Sequence, residues 1–316
     1  MAWPNSTLLE RCRQGDDLAW EALGADCVPD ATTLCLQGRK FAVQIDWQKF
    51  DTTAGHGHAT PLSSESGDFW FFDAGNNEAI IKIIDACSFN GNYWVFWDAL
   101  SNVKMDLTIR DTVTNQILVY HNDLGFSPNG ELNTSSVFRC DGTGPAATHI
   151  NTRTDLPAPG VPQLQKYDDP SQIGACVAQG DGTACFQSGR FRVSGTWRDF
   201  TEHTGPAHVI PKNDQSGYLW FFNAANFEGL FKIIDGCGFN GHYWVFNAGL
   251  TNVEATLEIV DTRTGDVYIQ RNNLGVDYPT NLDISTNFTG CTAPPVVLFK
   301  DGFASGNTSA WSSVVP

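Results

Sequence analysis

Four polar residues able to hold a ligand occur twice in the chain: Asn76, Glu78, Lys82 and Asp85, then Asn226, Glu228, Lys232 and Asp235. On an extended strand Glu78 and Lys82 point to one face and Asp85 to the other, because side chains alternate. Glu78 and Lys82 could bind a polar ligand. They could equally pair across the exposed face of a sheet, worth a fraction of a kcal/mol, and the pairing reading is the favoured one. A glycosidase needs two carboxylates roughly 5 to 10 Å apart across a cleft, and no spacing supplies a second acid for Glu78. His56-Gly57-His58 offers two metal-ligand types from one loop, but Pro206 stands where a second copy of His56 is expected. No cofactor is therefore expected. Calcium is the one ion with any support, from the loop Asp73 to Glu78 and from Asp181, although no twelve-residue calcium loop occurs.

Aromatic residues form the second candidate set. Trp70, Phe71 and Phe72, then Tyr93, Trp94, Phe96 and Trp97, place rings on both faces of adjacent strands. One set must build the core, and a second set left open beside Asn and Asp would suit sugars, with stacking on the apolar face and hydrogen bonds to hydroxyls. Trp97 is replaced by Asn247 in the second copy, which makes it the expected exposed ring. The candidate ligand-binding set is thus Trp70, Asn76, Glu78, Lys82, Trp94 and Trp97, with Trp220, Asn226, Glu228, Lys232 and Trp244. No catalytic residues are assigned: G-x-S-x-G, H-E-x-x-H, the P-loop and the dinucleotide fingerprint are all missing.

The elements that carry these residues are duplicated. Residues 35 to 138 match 185 to 288 without a gap, at about 40% identity. Trp47 falls on Trp197, Trp70 on Trp220 and Trp94 on Trp244. Within a copy the apolar pattern has period two, as in Phe41, Val43, Ile45 and Trp47. Strands are expected at 41–47, 68–73, 79–85, 93–97, 105–111 and 116–121, with Asn90-Gly91 as a tight hairpin turn. The expected fold is all-β: two tandem antiparallel immunoglobulin-like sandwiches. Repeat 1 spans 27–140, a Pro/Gly-rich linker 141–175, repeat 2 176–291, and a tail 292–316. The linker's prolines should hold the copies apart rather than let them fuse through a broad apolar interface.

A leader of residues 1–26 precedes repeat 1 and reads as a short amphipathic helix over Ser6 to Leu23. It has no apolar run of a secretory signal.

Eight of the nine cysteines fall into matching sets, Cys27, Cys35, Cys87 and Cys140, then Cys176, Cys185, Cys237 and Cys291. Without a C-x-x-C pair they suggest disulfides and an oxidising compartment rather than zinc. Three pairings are open per set. The preferred one joins Cys35 to Cys87 and Cys27 to Cys140, with Cys185 to Cys237 and Cys176 to Cys291. Cys12 is left over.

The segments LCLQGRKFAVQIDW, SGDFWFFDAGNNEAIIKIIDACSFNGNYWVFWDALSNV and LTIRDTVTNQ resemble a repeat common in secreted, often multidomain bacterial proteins. The tail KDGFASGNTSAWSS is similar to an Asp-Gly-Phe-Glu-Ser-Gly segment at the C-termini of exported bacterial proteins, with Ala304 in the place of its Glu. The resemblance implies an extracellular or envelope location and carries over no catalytic residues.

Composition narrows the partners. With 35 acids against 19 bases the formal net charge is -16, which repels phosphate backbones and anionic leaflets. No run of eighteen apolar residues suggests a membrane span. The expected role is a non-catalytic extracellular binding or adhesion module, with polysaccharide or a cell-surface protein as partner. The alternatives are a structural spacer of a surface protein and a hydrolase using Glu78, Asp85 or His58.

Overall fold

The computed structural model describes residues 26–128, 130–135, 138–152, 162–167, 173–282, 284 and 288–291. The leader helix, Cys12 and the C-terminal tail lie outside the described residues. What is described is all-β, in four mainly antiparallel sheets.

Repeat 1 contributes β1 (Leu34–Leu36), β2 (Phe41–Gln48), β3 (Ala54–His56), β4 (His58–Pro61), β5 (Ser66–Trp70) and β6 (Asn77–Ala86). A four-residue helix α1 (Cys87–Asn90) leads to β7 (Asn92–Ala99), β8 (Lys104–Asp111), β9 (Ile117–Asn122) and β10 (Glu131–Asn133). Then come β11 (Ala147–Asn151) and β12 (Gln163–Lys166). Repeat 2 supplies β13 (Thr183–Phe186), β14 (Phe191–Arg198), β15 (Thr204–Pro206), β16 (His208–Pro211), β17 (Ser216–Trp220) and β18 (Phe227–Gly236). It ends with α2 (Cys237–Asn240), β19 (His242–Gly249), β20 (Glu254–Asp261) and β21 (Asp266–Asn272).

In repeat 1 an outer sheet β1-β2-β8-β9-β11 faces an inner sheet β10-β7-β6-β5-β4. Repeat 2 pairs β12-β21-β20-β14-β13 with β16-β17-β18-β19 in the same way. The first core lies between the sheets: Phe41, Val43, Ile45, Leu107 and Ile109 meet Phe69, Ile81, Ile83, Val95 and Trp97. These are the period-two positions of the sequence, so burial of one face per strand accounts for the local structure.

The segment expected as a Pro/Gly-rich linker supplies edge strands to both outer sheets. β11 adds parallel to β9, the one parallel pair among the described residues, and β12 adds antiparallel to β21. An unpaired strand edge offers a row of free N–H and C=O groups, and these segments satisfy it. All four β12 residues are exposed, so no apolar periodicity announces them.

The copies are not held apart. The outward face of each inner sheet packs on the other in one apolar cluster: Ile80, Phe96 and Leu100 against Tyr218, Phe227, Leu230, Ala248 and Leu250. Ile80, Leu230 and Leu250 are at most 1% exposed, and each such side chain contributes about 1.5–3 kcal/mol by burial. The prolines between the repeats do not prevent this, because the outward face of β6 carries Ile80 and Ile84 beside Glu78 and Lys82, and the other repeat covers the first two and pairs the second two.

The disulfides join Cys27 to Cys35, Cys87 to Cys140, Cys176 to Cys185 and Cys237 to Cys291. This corrects the expected pairing. Cys35 sits on β1 of the outer sheet and Cys87 opens α1 just after β6 of the inner sheet, so the core separates them. Each finds a partner on its own sheet: Cys27 N–H bonds Arg39 C=O beside β1, and Cys140 N–H bonds Gly91 C=O beside α1.

Candidate functional site

Asn76, Glu78 and Lys82, with Asn226, Glu228 and Lys232, lie between the repeats rather than on a free surface. Lys82 Nζ donates to Glu228 Oε2 at 3.0 Å, and Lys232 Nζ reaches Glu78 Oε2 at 3.4 Å and Asn76 Oδ1 at 2.9 Å. Asn76 and Asn226 each donate to the neighbouring glutamate of their own copy, at 2.5 and 2.7 Å. Glu78, Lys82, Glu228 and Lys232 are all buried. Burial pushes the Glu78 carboxyl up and the Lys82 and Lys232 ammoniums down, and the opposite charge across the junction resists each shift. Such pairs fix how two bodies meet, and their burial keeps a solvent-borne ligand from reaching them. The favoured sheet-face pairing of Glu78 with Lys82 is corrected as well: each finds its partner in the other repeat.

Asp85 does not join them. It is exposed near the far end of β6, seven residues from Glu78, which is roughly 23 Å at 3.3 Å per residue. His58 stacks on Trp70 with ring centroids 3.7 Å apart. A hydrolase built on Glu78, Asp85 and His58 thus finds no common cleft. Among the described residues, one group of metal-ligating side chains lies within mutual reach, Asp85, Cys87 and Cys140. Its two sulfurs are spent in the disulfide. The loop Asp73 to Glu78 is engaged across the junction, where Gly75 C=O accepts from Asn213 Nδ2, and Asp181 is paired with His208 at 2.5 Å.

Trp97 is corrected from exposed ring to core. It is 0% exposed and packs on Tyr120 at 5.3 Å. Its replacement by Asn247 is a repacking: Tyr268 fills the space in repeat 2, at the position held by Leu118 in repeat 1, and Asn247 Nδ2 donates to its hydroxyl at 2.6 Å. Trp70 and Trp220 are half-buried, each with one face covered by a histidine, His58 or His208.

Trp94 and Trp244 are where a surface remains. The Asn90-Gly91 turn is a helical turn rather than a two-residue hairpin, with Gly91 at φ 75° closing α1 in the left-handed region that glycine tolerates. Asp85 Oδ1 accepts from Cys87 N–H at 2.9 Å and starts that turn. Asn90 Oδ1 then accepts from Trp94 Nε1 at 3.1 Å, while its Nδ2 donates to Thr134 C=O at 2.8 Å. Phe89 stands edge-on to Trp94 at 5.4 Å and is 78% exposed. Repeat 2 repeats the arrangement: Trp244 Nε1 to Asn240 Oδ1 at 2.9 Å, Asn240 Nδ2 to Ile284 C=O at 2.7 Å, and Phe239 at 5.6 Å from Trp244 and 77% exposed. Each tip is pinned by a disulfide, Cys87 to Cys140 or Cys237 to Cys291. The indole N–H is spent internally, so each tip presents apolar ring surface on a rigid mount.

Phe89 and Phe239 were not singled out in the sequence, because an isolated Phe in a turn carries no periodic signal. Their recurrence 150 residues apart beside Asn-Gly was the available sign. A second feature was also missed. His56, Asp46, Asp106 and His121 are cross-strand neighbours in one row on the outer sheet. His56 and His121 each bond an Asp at 2.5 Å, and the Asp106 hydrogen bond raises His121 above its ordinary value. Pro206, Thr196, Thr256 and Arg271 replace the row in repeat 2.

Comparison with protein-family models, curated proteins and solved structures finds no match.

Proposed function

We propose that this chain is a non-catalytic extracellular binding or adhesion module, built on two immunoglobulin-like sandwiches, that engages polysaccharide through its two aromatic tips. The observation that carries the reading is the paired exposure of Phe89 and Phe239, each edge-on to a tryptophan that an asparagine holds by its indole N–H. Leaving a large apolar ring in water forgoes about 1.5–3 kcal/mol, and here the same ring is left out twice on a braced turn. Flat, apolar, pre-organised surface is the chemistry that stacks on sugar rings. A cell-surface protein with an apolar patch would be met by the same tips.

The location rests on four disulfides and on the resemblance to secreted repeats. Among the described residues no helix is long and apolar enough to cross a membrane. Net charge of -16 disfavours nucleic acid.

A glycan array and pull-down on insoluble polysaccharides test the reading, using the full chain and its Trp94→Ala/Trp244→Ala variant. Retention of the wild type and its loss in the variant is the expected result. A second reading, a rigid spacer of a surface protein, is favoured by the buried junction between the repeats. It predicts no retention on any glycan by the wild type.

A further inference from the structure

Three pairs of contacts between the repeats exchange when 150 is added to one residue number and subtracted from the other. Lys82 meets Glu228, and Lys232 meets Glu78. Ser63 Oγ donates to Ala225 C=O at 2.6 Å, and Asn213 Nδ2 to Gly75 C=O at 2.5 Å. Ser66 Oγ donates to Ala225 C=O at 3.3 Å, and Ser216 Oγ to Gly75 C=O at 3.5 Å. Reciprocal contacts of this kind, i to j and j to i, define an isologous two-fold interface. A position on such an axis must meet its own equivalent. Asp68 and Tyr218 are equivalent, and the Tyr218 hydroxyl donates to Asp68 Oδ2.

The symmetry is broken at that axis by complementary changes. Lys212 Nζ donates to Asp68 Oδ2 at 2.7 Å. The equivalents of these two residues, Leu62 and Tyr218, both belong to the apolar cluster at the junction. Repeat 1 thus offers an acid and an aliphatic side chain where repeat 2 offers a phenol and an ammonium.

We infer that the inner-sheet face bearing Glu78 and Lys82 is a two-fold pairing surface whose fitting partner is the other copy of the duplicated repeat, and that positions 62, 68, 212 and 218 restrict it to one repeat 1 with one repeat 2. Two repeat 1 faces would bring Asp68 against Asp68 with Leu62 in the place of the lysine, leaving two buried carboxylates without a cation. Two repeat 2 faces would bring Tyr218 against Tyr218 and leave each Lys212 without its acid. Unlike pairing is selected by repulsion in the like pairs as much as by attraction in the observed one.

The test is a swap across the axis in the full chain, Leu62→Lys/Asp68→Tyr/Lys212→Leu/Tyr218→Asp, beside Asp68→Tyr alone. The readout is the rate of amine acylation at Lys82 and Lys232, resolved by mass spectrometry against the exposed Lys166. In the wild type both lysines are shielded, at 1% and 3% exposure. Asp68→Tyr should raise their labelling by about tenfold or more, equivalent to about 1.4 kcal/mol of opening. The swap should be soluble and should restore labelling to within about twofold of the wild type, since it exchanges the roles of the two repeats. A swap that labels as fast as Asp68→Tyr overturns the inference, as does a swap that yields no folded protein, or an Asp68→Tyr chain that labels like the wild type. Should Asp68→Tyr prove insoluble, the swap alone decides.

Discussion

Lys82 Nζ lies 3.0 Å from Glu228 Oε2 across the junction of the two repeats, with both side chains almost fully buried. An ion pair in this setting repays its desolvation only while both partners are present. Lys82→Met should therefore destabilise the chain by about 3–5 kcal/mol, through the carboxylate it strands. Adding Glu228→Leu should recover most of that loss, because the surrounding Phe96, Leu100 and Leu230 are apolar. Urea unfolding of the two variants checks this, and a double variant no more stable than the single one would refute it.

Asp98 gives the junction a pH dependence. It is fully buried, and burial pushes its carboxyl up to about 7, against hydrogen bonds from the Thr280 hydroxyl and the Ala99 amide. The folded form therefore holds its proton more tightly than the unfolded form, whose value is near 3.8. The contribution of Asp98 is largest below pH 4 and falls as pH rises towards 7, by something of order 4 kcal/mol. Asp98→Asn removes the titration. The difference in unfolding free energy between variant and wild type should grow in the variant's favour from pH 4 to pH 7.5. A difference that stays constant across that range would contradict the placement of Asp98.

The four disulfides should differ in weight. Cys87 and Cys140 close a separation of 53 residues, Cys27 and Cys35 one of only 8. By loop entropy, replacing the first pair with serines should cost about 4 kcal/mol and the second about 2.5 kcal/mol. Peptide mapping without reductant should recover Cys27 with Cys35 and Cys87 with Cys140. A peptide linking Cys35 to Cys87 would show the pairing to be wrong.

Much of the fold is legible in the chain because alternation is a local property. Phe41, Val43, Ile45 and Trp47 announce β2 without help from any other segment, and the 150-residue offset announces the second copy. The junction is legible too, though in a different form. The run Ala79-Ile80-Ile81-Lys82-Ile83-Ile84 does not alternate, and a continuous apolar strand is one covered on both faces. What covers the second face is not local information, and the prolines of 141–175 point the other way. The disulfide pairing was hidden for the same reason: which sheet each cysteine joins depends on strand order. Trp97 shows a further limit. Its replacement by Asn247 looks like a change on the surface until Tyr268, at the position of Leu118, is seen filling the space.

The aromatic tips carry the functional account, and retention of the chain on an insoluble polysaccharide that binds the wild type tests them most directly. Phe89→Ala and Phe239→Ala remove exposed rings that pack on no core, so stability should change by less than about 0.5 kcal/mol. Each single variant should be retained more weakly than the wild type and the double variant should flow through, since two sites on one rigid body act together. A double variant retained as well as the wild type would contradict the account.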